Sequence, residues 1–109
     1  MITWQDFEKI DMRTGTIISA IPFEKALKPA YILEIDFGSL GIKKSSAQIT
    51  KLYKPKDLIG KQIIAVVNFP TKQIAHFNSQ CLVLGVIGSD KEVTLIQPDN
   101  QVENGLKVG

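Results

Sequence analysis

Hydrophobic and polar positions alternate most clearly between residues 31 and 37. Tyr31, Leu33, Ile35 and Phe37 fall on one side of an extended chain, and the residues between them fall on the other side. This period of two is typical of a strand with one buried face. We therefore predict a half-buried strand over 31–37.

Two longer segments, 61–69 and 80–87, are nearly continuous apolar runs that are rich in β-branched side chains. Such runs are typical of strands that are buried on both faces, and we predict one strand in each segment. Shorter patterns predict strands over 13–21, 42–49 and 92–98 as well. In the first of these strands, Gly15 indicates a bulge or a close backbone approach.

Two short helices are predicted at the positions where the strand patterns are interrupted. Residues 3–10 place apolar side chains at roughly helical spacing, and Thr3 can cap this helix while Asp6 reaches back in a weak capping box. Residues 50–60 predict a short irregular helix that ends at a glycine. The other segments are predicted to be connections, namely 22–30 with its two prolines, 69–77 between the apolar runs, and the turn-rich tail 99–109.

This order of elements favours an all-β protein. Five or six strands, a short N-terminal helix and a helical insert after the third strand suit a five-stranded barrel of the oligonucleotide/oligosaccharide-binding (OB) type. A β-sandwich is the alternative. The length of 109 residues and the hydrophobic content of 44% fit a single domain over 1–109.

The sequence also bears on the compartment in which the protein works. A single cysteine, Cys81, cannot form an internal disulfide, so nothing indicates an oxidising compartment. No apolar run approaches the ~20 residues that cross a bilayer, and the first ten residues do not resemble a signal peptide. We expect a cytoplasmic protein that does not insert into membranes.

Charge is distributed unevenly along the chain. Residues 43–72 contain seven lysines and one aspartate, a local charge of +6, whereas 1–42 and 73–109 each carry −2. One basic segment in a protein with a net charge of +2 could favour an anionic partner. The alternative is that these lysines only keep the strands soluble.

Residue patterns typical of catalysis are missing. One histidine, His76, and one cysteine, Cys81, cannot form a zinc site at the usual spacings. They could form a nucleophile–base pair, but Cys81 begins an apolar run, where a thiol is usually buried and inert. Because glycine-rich phosphate loops and nucleophile elbows are also missing, we predict a protein with no enzymatic activity, no metal and no cofactor.

Binding is the function that the polar positions can support. Lys44, Ser46 and Gln48 alternate along a predicted strand and share one face. An ammonium, a hydroxyl and an amide in a row suit either a phosphate–sugar backbone or the main chain of a peptide. The alternative is a polar face that contacts only water.

Several segments together resemble the CsaA group of tRNA-binding-domain proteins. They are "DFEKIDMRTGTI", "DFGSLGIKKSSAQITKLY", "GKQIIAVVNFPTKQIAHFNSQCLVLG" and "PDNQVENG", and they cover nearly the whole chain in order. The resemblance implies an OB-type barrel and a homodimer built from the terminal elements. It also implies a chaperone-like factor for preproteins in protein export, with contact to the export motor, or alternatively a structure-directed tRNA-binding module.

Residues 68–80 distinguish these two possibilities. The tRNA-binding branch typically carries two or more basic residues here, whereas this chain has Lys72 as its only fixed cation. Three aromatic or aliphatic side chains in this segment either pack inward or form an apolar patch with a polar rim. We therefore expect polypeptide binding by Phe69, Lys72, Ile74, His76 and Phe77.

The resemblance and the basic segment also suggest two other sets of residues. The residues expected to bind RNA are Lys43, Lys44, Ser46, Gln48, Lys51, Asn68, Lys72, Ser79 and Gln80. The residues expected at the dimer interface are Trp4, Phe7, Ile10, Val102 and Val108.

Overall fold

Five strands form the main sheet of the computed structural model, which describes all 109 residues, in the order β3-β2-β1-β4-β7. Two separate hairpins, β5-β6 and β8-β9, complete the β-structure. The elements are α1 (Trp4–Glu8), β1 (Met12–Pro22), β2 (Tyr31–Asp36), a 3₁₀ turn (Gly38–Leu40), β3 (Ile42–Ala47), α2 (Pro55–Leu58), β4 (Gln62–Val66), β5 (Lys72–Ile74), β6 (Phe77–Ser79), β7 (Leu82–Val83), β8 (Gly85–Ile87) and β9 (Val93–Leu95). Neither α-helix has the length and apolar character needed to cross a bilayer.

The long strand β1 bends so that it belongs to both walls of the barrel. Its first half, Met12 to Thr16, pairs antiparallel with β4, and its second half, Thr16 to Pro22, pairs antiparallel with β2. A register shift between Ile17 and Ser19 marks a bulge in the second half. Bulges increase the local bend and twist of a strand, which helps this sheet to curl into a nearly closed, OB-like barrel.

The core lies inside this barrel and confirms the alternation predicted for β2. Its inward residues from Tyr31 to Phe37 are buried, and Leu58 of α2 is fully buried in the same core. At Gly15, β1 passes close to this layer, because a Cβ there would lie 2.7 Å from Ile35 and from the Phe37 ring. The predicted close approach at Gly15 is therefore confirmed.

The N-terminal helix begins as its sequence predicts. The backbone N–H of Asp6 donates to the Thr3 hydroxyl at 3.1 Å, and the N–H of Thr3 donates to the Asp6 carboxylate at 3.0 Å. These two bonds form the capping box expected for α1. No residue of the helix is fully buried, so α1 lies on the outside of the barrel.

The barrel closes where β3 meets the residues between β6 and β7. The N–H of Gln80 donates to the Lys44 carbonyl at 2.8 Å, and the N–H of Lys44 donates to the Gln80 side chain at 2.9 Å. The N–H of Ser46 donates to the Ser79 hydroxyl at 3.3 Å. A glutamine and a serine side chain therefore replace part of a regular strand ladder at this seam.

The segment predicted as a turn-rich tail is bound along the first half of β1, where β2 no longer pairs. The N–H of Thr14 donates to the Leu106 carbonyl at 3.0 Å, and the N–H of Val108 donates to the Met12 carbonyl at 2.9 Å. The Thr14 hydroxyl is buried and donates to the Glu103 carbonyl at 2.7 Å. Residues 103–108 therefore complete the sheet on this side.

Two predictions need correction, one about an apolar run and one about the segment between the two runs. Residues 80–87 are not one strand buried on both faces, because they form the two short strands β7 and β8, and Leu82, Val86 and Ile87 are exposed. Segment 69–77 is not a simple connection, since β5 and β6 pair as a hairpin whose turn places Ala75 at φ 54°. The run 61–69 does contain a buried strand, β4.

Candidate binding groove

A groove of about 680 Å³ lies beyond the seam between β3 and the hairpins. The end of β3 forms one wall, and residues 82–85 with Ile87 form the other wall. Phe69, Pro70, Lys72 and Ile74 form a rim. The groove opens because the chain that follows Cys81 turns away from β3, and its strand β7 pairs with β4 instead. Its sixteen lining residues are Ser46, Ala47, Gln48, Ile49, Phe69, Pro70, Lys72, Ile74, Ser79, Cys81, Leu82, Val83, Leu84, Gly85, Ile87 and Val93.

Apolar side chains dominate this lining, and three of them are widely exposed. Phe69 is 57% exposed, Leu82 is 47% exposed and Ile87 is 74% exposed. Ten of the sixteen lining residues are hydrophobic, and Lys72 is the only charged one. A concave surface with this composition suits an apolar ligand surface better than a polyanion.

Of the five residues predicted to bind polypeptide, Phe69, Lys72 and Ile74 line the groove. The other two lie outside the lining. The Phe77 ring packs edge-to-face on Phe23 with centroids 5.4 Å apart, so this side chain supports the hairpin from behind. His76 is an exposed residue of the β5-β6 turn.

Four of the residues predicted to bind RNA, Ser46, Gln48, Lys72 and Ser79, line the same groove. Gln80 belongs instead to the seam, where its side chain accepts the bond from Lys44.

Asn68 connects α1 to the barrel. Its side-chain oxygen accepts a hydrogen bond from the N–H of Asp11 at 3.0 Å, and its side-chain nitrogen donates to the Lys9 carbonyl at 2.7 Å. Both ends of the amide are therefore engaged within the protein.

The lysines of the basic segment have different surroundings. Lys44 is exposed and lies opposite Glu34 of β2, and Lys43 is partly buried. The Lys51 ammonium donates to the Asp90 carbonyl, while the Lys61 ammonium lies 5.8 Å from the centre of the Tyr53 ring. Lys72 is the single lysine that the groove shares with the basic segment.

Cys81 is a buried residue at the base of the groove. Burial raises the pKa of its thiol from 9.0 to about 11, although a hydrogen bond with Ser45 and the charge of Lys43 act in the opposite direction. The Sγ atom lies 3.8 Å from the Lys44 carbonyl oxygen, to which it can donate. A protonated, shielded thiol of this kind is a poor nucleophile.

The residues predicted at the dimer interface fall into two places. Trp4 is 67% exposed, and its ring lies 5.6 Å from that of Phe7. A shallow pocket joins these two rings to Ile2 and Gly109, so both ends of the chain meet there. Val102 lies apart, because its N–H and C=O both bond to the Gln62 side chain. Ile10 is exposed and Val108 is partly buried.

The second wall of the groove was missed by the sequence-based interpretation. Leu82, Val83, Leu84 and Ile87 line it, and their apolar run was interpreted as core. A binding surface and a buried strand share the same apolar signal in a sequence, so periodicity alone does not separate them.

Comparison with known proteins places this geometry in a family. The model of the family described as "Putative tRNA binding domain" matches residues 12–107. Among solved structures, the chaperone CsaA from Bacillus anthracis is 52% identical, with a TM-score of 0.96 over 100% of this chain and 99% of that one. The chain belongs to the CsaA group of the tRNA-binding-domain family.

Other relatives in this family show where the same domain is used. The CsaA chaperone protein from Picrophilus torridus is 55% identical, with a TM-score of 0.94 over 100% of both chains. The methionine–tRNA ligase of Chlorobium chlorochromatii is 35% identical over 107 residues, which are 98% of this chain. This chain spans about 15% of the length of that ligase, so the likeness concerns one domain of a larger enzyme.

Proposed function

We propose that this protein is a non-enzymatic, chaperone-like factor that binds unfolded segments of other polypeptides in the groove. The two CsaA proteins whose structures resemble it over their full lengths are chaperones. In this proposal the clients are preproteins on their way to export, the compartment is the cytoplasm, and the export motor is a further partner.

One observation carries the proposal, namely the exposed apolar lining of the groove. Burying a side chain such as Phe69 or Ile87 is worth about 1.5–3 kcal/mol, and an unfolded client offers apolar side chains that can cover both. Ser46, Gln48 and Lys72 add polar groups to this lining. An apolar centre with a polar rim is the usual anatomy of a protein-binding surface.

Calorimetric titration with extended apolar peptides tests this function. Binding should show a negative heat-capacity change, because apolar surface is buried. The variant Phe69→Ala should weaken binding about five- to tenfold, whereas Leu27→Ala, which removes a fully exposed side chain of the β1-β2 loop, should leave it unchanged. If none of the extended peptides binds, the proposed function is wrong.

A second candidate function is tRNA binding, which the family match over residues 12–107 favours. In this alternative, Lys43, Lys44 and Lys72 contact phosphates, while Lys51 already bonds to Asp90. If these three lysines neutralise phosphates, log K should fall with log[salt] at a slope of roughly −3. Lys44→Gln should reduce this slope by about one, and Lys28→Gln is the matched control. A response that does not depend on salt would exclude this alternative.

We further propose that two copies associate through the surface formed by Trp4, Phe7 and the end of the chain. An exposed tryptophan beside a second ring is a favourable centre for such an interface. Sedimentation equilibrium should show a dimer, and Trp4→Ser should weaken it at least tenfold while Leu27→Ser does not. A wild-type protein that sediments as a monomer at all concentrations would contradict this part of the proposal.

A further inference from the structure

The edge of β3 has a fixed orientation. The N–H of Phe37 donates to the Gly41 carbonyl at 3.0 Å, which means that Gly41 faces β2. Main-chain groups in an antiparallel pair alternate between the two sides, so residues 43, 45 and 47 also face β2. Residues 44 and 46 therefore direct their N–H and C=O groups away from the sheet, toward the seam and the groove. Gln48, the first residue after the end of β3, comes next in this alternation.

The seam satisfies only part of this edge. Lys44 uses both its N–H and its C=O in bonds to Gln80, and Ser46 uses its N–H in the bond to Ser79. The Ser46 carbonyl is at an outward position and accepts no hydrogen bond from a paired strand, and Gln48 forms no backbone hydrogen bond within the protein. Both residues line the groove. Three main-chain groups thus form an open strand edge along its wall.

The charge of the groove adds a second constraint. Lys72 is its only charged lining residue. Lys72 pairs with Ser79 across the β5-β6 hairpin, and Ser79 in turn bonds to Ser46. The lysine therefore lies on the seam side of the open edge. A bound strand would have this ammonium at one side and would favour an acidic residue there.

We propose that the groove binds its polypeptide as an added strand on the β3 edge, through hydrogen bonds to the Ser46 carbonyl and to both main-chain groups of Gln48. This inference rests on the function proposed above and specifies how the client is recognised. Main-chain bonds supply affinity without regard to sequence, and the apolar walls select segments whose apolar side chains alternate. Lys72 selects an acidic over a basic residue near one end of the segment.

Single-stranded nucleic acid is the competing occupant. Such sites usually combine several cations with aromatic platforms along the groove, whereas this groove has one lysine and one aromatic ring, Phe69. A polypeptide needs donors and acceptors at the open edge, and these are present. The observations therefore favour polypeptide.

Peptides methylated at alternate amides test this geometry. The probe is a soluble seven-residue peptide, blocked at both ends, in which valine or isoleucine alternates with serine or threonine. Methylation of the amides that face β3 should weaken binding at least tenfold, and methylation of those that face away should change it less than twofold. Both versions restrict the backbone equally, so each serves as the control for the other.

The outcomes of this experiment are distinguishable. If the unmodified peptide does not bind, both the proposed function and this inference are wrong. If it binds and the two methylated versions behave alike, strand addition is wrong and the proposed function stands.

Amide exchange and two substitutions give independent readings. Saturation with the peptide should slow exchange of the Gln48 N–H at least tenfold. Gln48→Pro, which lacks that N–H, should weaken binding, while Gln48→Ala should not. Circular dichroism checks that both variants fold. If the proline variant does not fold, the methylated peptides decide the question. Protection of Gln48 by an oligouridylate and not by the peptide would overturn the inference.

A final comparison tests the charge preference. A peptide ending in glutamate should bind about threefold more tightly than one ending in lysine, and Lys72→Gln should remove the difference while Lys28→Gln should not. Tighter binding of the lysine peptide would contradict the preference assigned to Lys72.

Discussion

Asn68 and Asp11 are 57 residues apart in sequence, yet the Asn68 side chain accepts a 3.0 Å hydrogen bond from the Asp11 backbone N–H. The same side chain donates to the Lys9 carbonyl at 2.7 Å. This one side-chain amide therefore holds the end of α1 next to the start of the rim of the groove. The position of the N-terminal helix therefore depends on a residue that the sequence analysis assigned to RNA binding.

The first prediction follows from these two bonds. Asn68→Ala removes both, and we expect a loss of about 1–2 kcal/mol in the free energy of unfolding, together with faster amide exchange at Asp11. Chemical denaturation measures the first effect and NMR measures the second. Asn100→Ala, at an exposed turn, is the control. An unchanged exchange rate at Asp11 would show that Asn68 does not fix this junction.

The second prediction concerns the close backbone approach at Gly15 inside the barrel. A methyl group in Gly15→Ala would lie 2.7 Å from Ile35 and Phe37, both fully buried. Overpacking of this kind typically costs about 1–3 kcal/mol, and thermal and urea unfolding should both show it. Gly109→Ala, which meets no atom within 4 Å, should be neutral. Equal stability of the two variants would mean that β1 can shift to make room.

The third prediction separates the two faces of β8. Val86 and Ile87 are both exposed, at 61% and 74%, but only Ile87 lines the groove. Ile87→Ser should therefore weaken binding of an extended apolar peptide about five- to tenfold, because apolar contact area is lost. Val86→Ser is the matched control and should bind like the wild type. A reversed order of effects would place the ligand on the opposite face.

The fourth prediction uses the Cys81 thiol. Because burial raises its pKa from 9.0 to about 11, the unfolded chain loses this proton at lower pH than the folded protein does. The contribution of the buried, protonated thiol to the free energy of unfolding is thus fully present below about pH 9 and is lost as the pH rises toward 11. The difference in unfolding free energy between the wild type and Cys81→Ala should shrink over this range.

Alkylation of Cys81 provides a check on the same group. Iodoacetamide at pH 8 should react slowly with the folded protein and quickly in denaturant, since the thiolate is the reactive form. Fast reaction of the folded protein would show that the thiol is accessible and that its pKa is not raised.

The fifth prediction concerns the attachment of residues 103–108. The buried Thr14 hydroxyl donates to Glu103 at 2.7 Å and accepts from the Leu106 N–H at 3.1 Å. Thr14→Val removes both bonds and leaves two backbone groups unpaired, so we expect a loss of about 2–3 kcal/mol. Amide exchange should also quicken at Leu106. Thr94→Val, at an exposed position of β9, is the control. Unchanged exchange at Leu106 would mean that Thr14 does not hold this segment.

How far the sequence predicted this structure depended on the kind of signal. The alternation from Tyr31 to Phe37 and the capping pair of Thr3 and Asp6 are local patterns, and the structure confirms both. The OB-like barrel followed from the number and order of such patterns. Patterns of this type can be recognised in a sequence because the residues that determine them are close neighbours along the chain.

The parts that were wrong or missed depend on distant neighbours. Leu82 and Ile87 looked like core because an apolar side chain carries no mark of whether another element covers it. The β5-β6 hairpin was missed because its turn uses Ala75 at positive φ, where glycine or asparagine is the usual signal. The tail depends on Thr14, more than 85 residues earlier, through the bond to Glu103. The two partners lie too far apart along the chain for any local sequence pattern to contain both of them.

The attachment of residues 103–108 to β1 has a consequence for biosynthesis. Strand β1 is synthesised before the tail, and its Met12 and Thr14 main-chain groups find these partners only when residues 105–108 have been synthesised. Closing such a long loop delays folding, because its entropy is lost before the distant bonds form. While it is being translated, the nascent chain therefore exposes an unpaired strand of its own, and it passes through the kind of unfinished state that we propose its mature form protects in others.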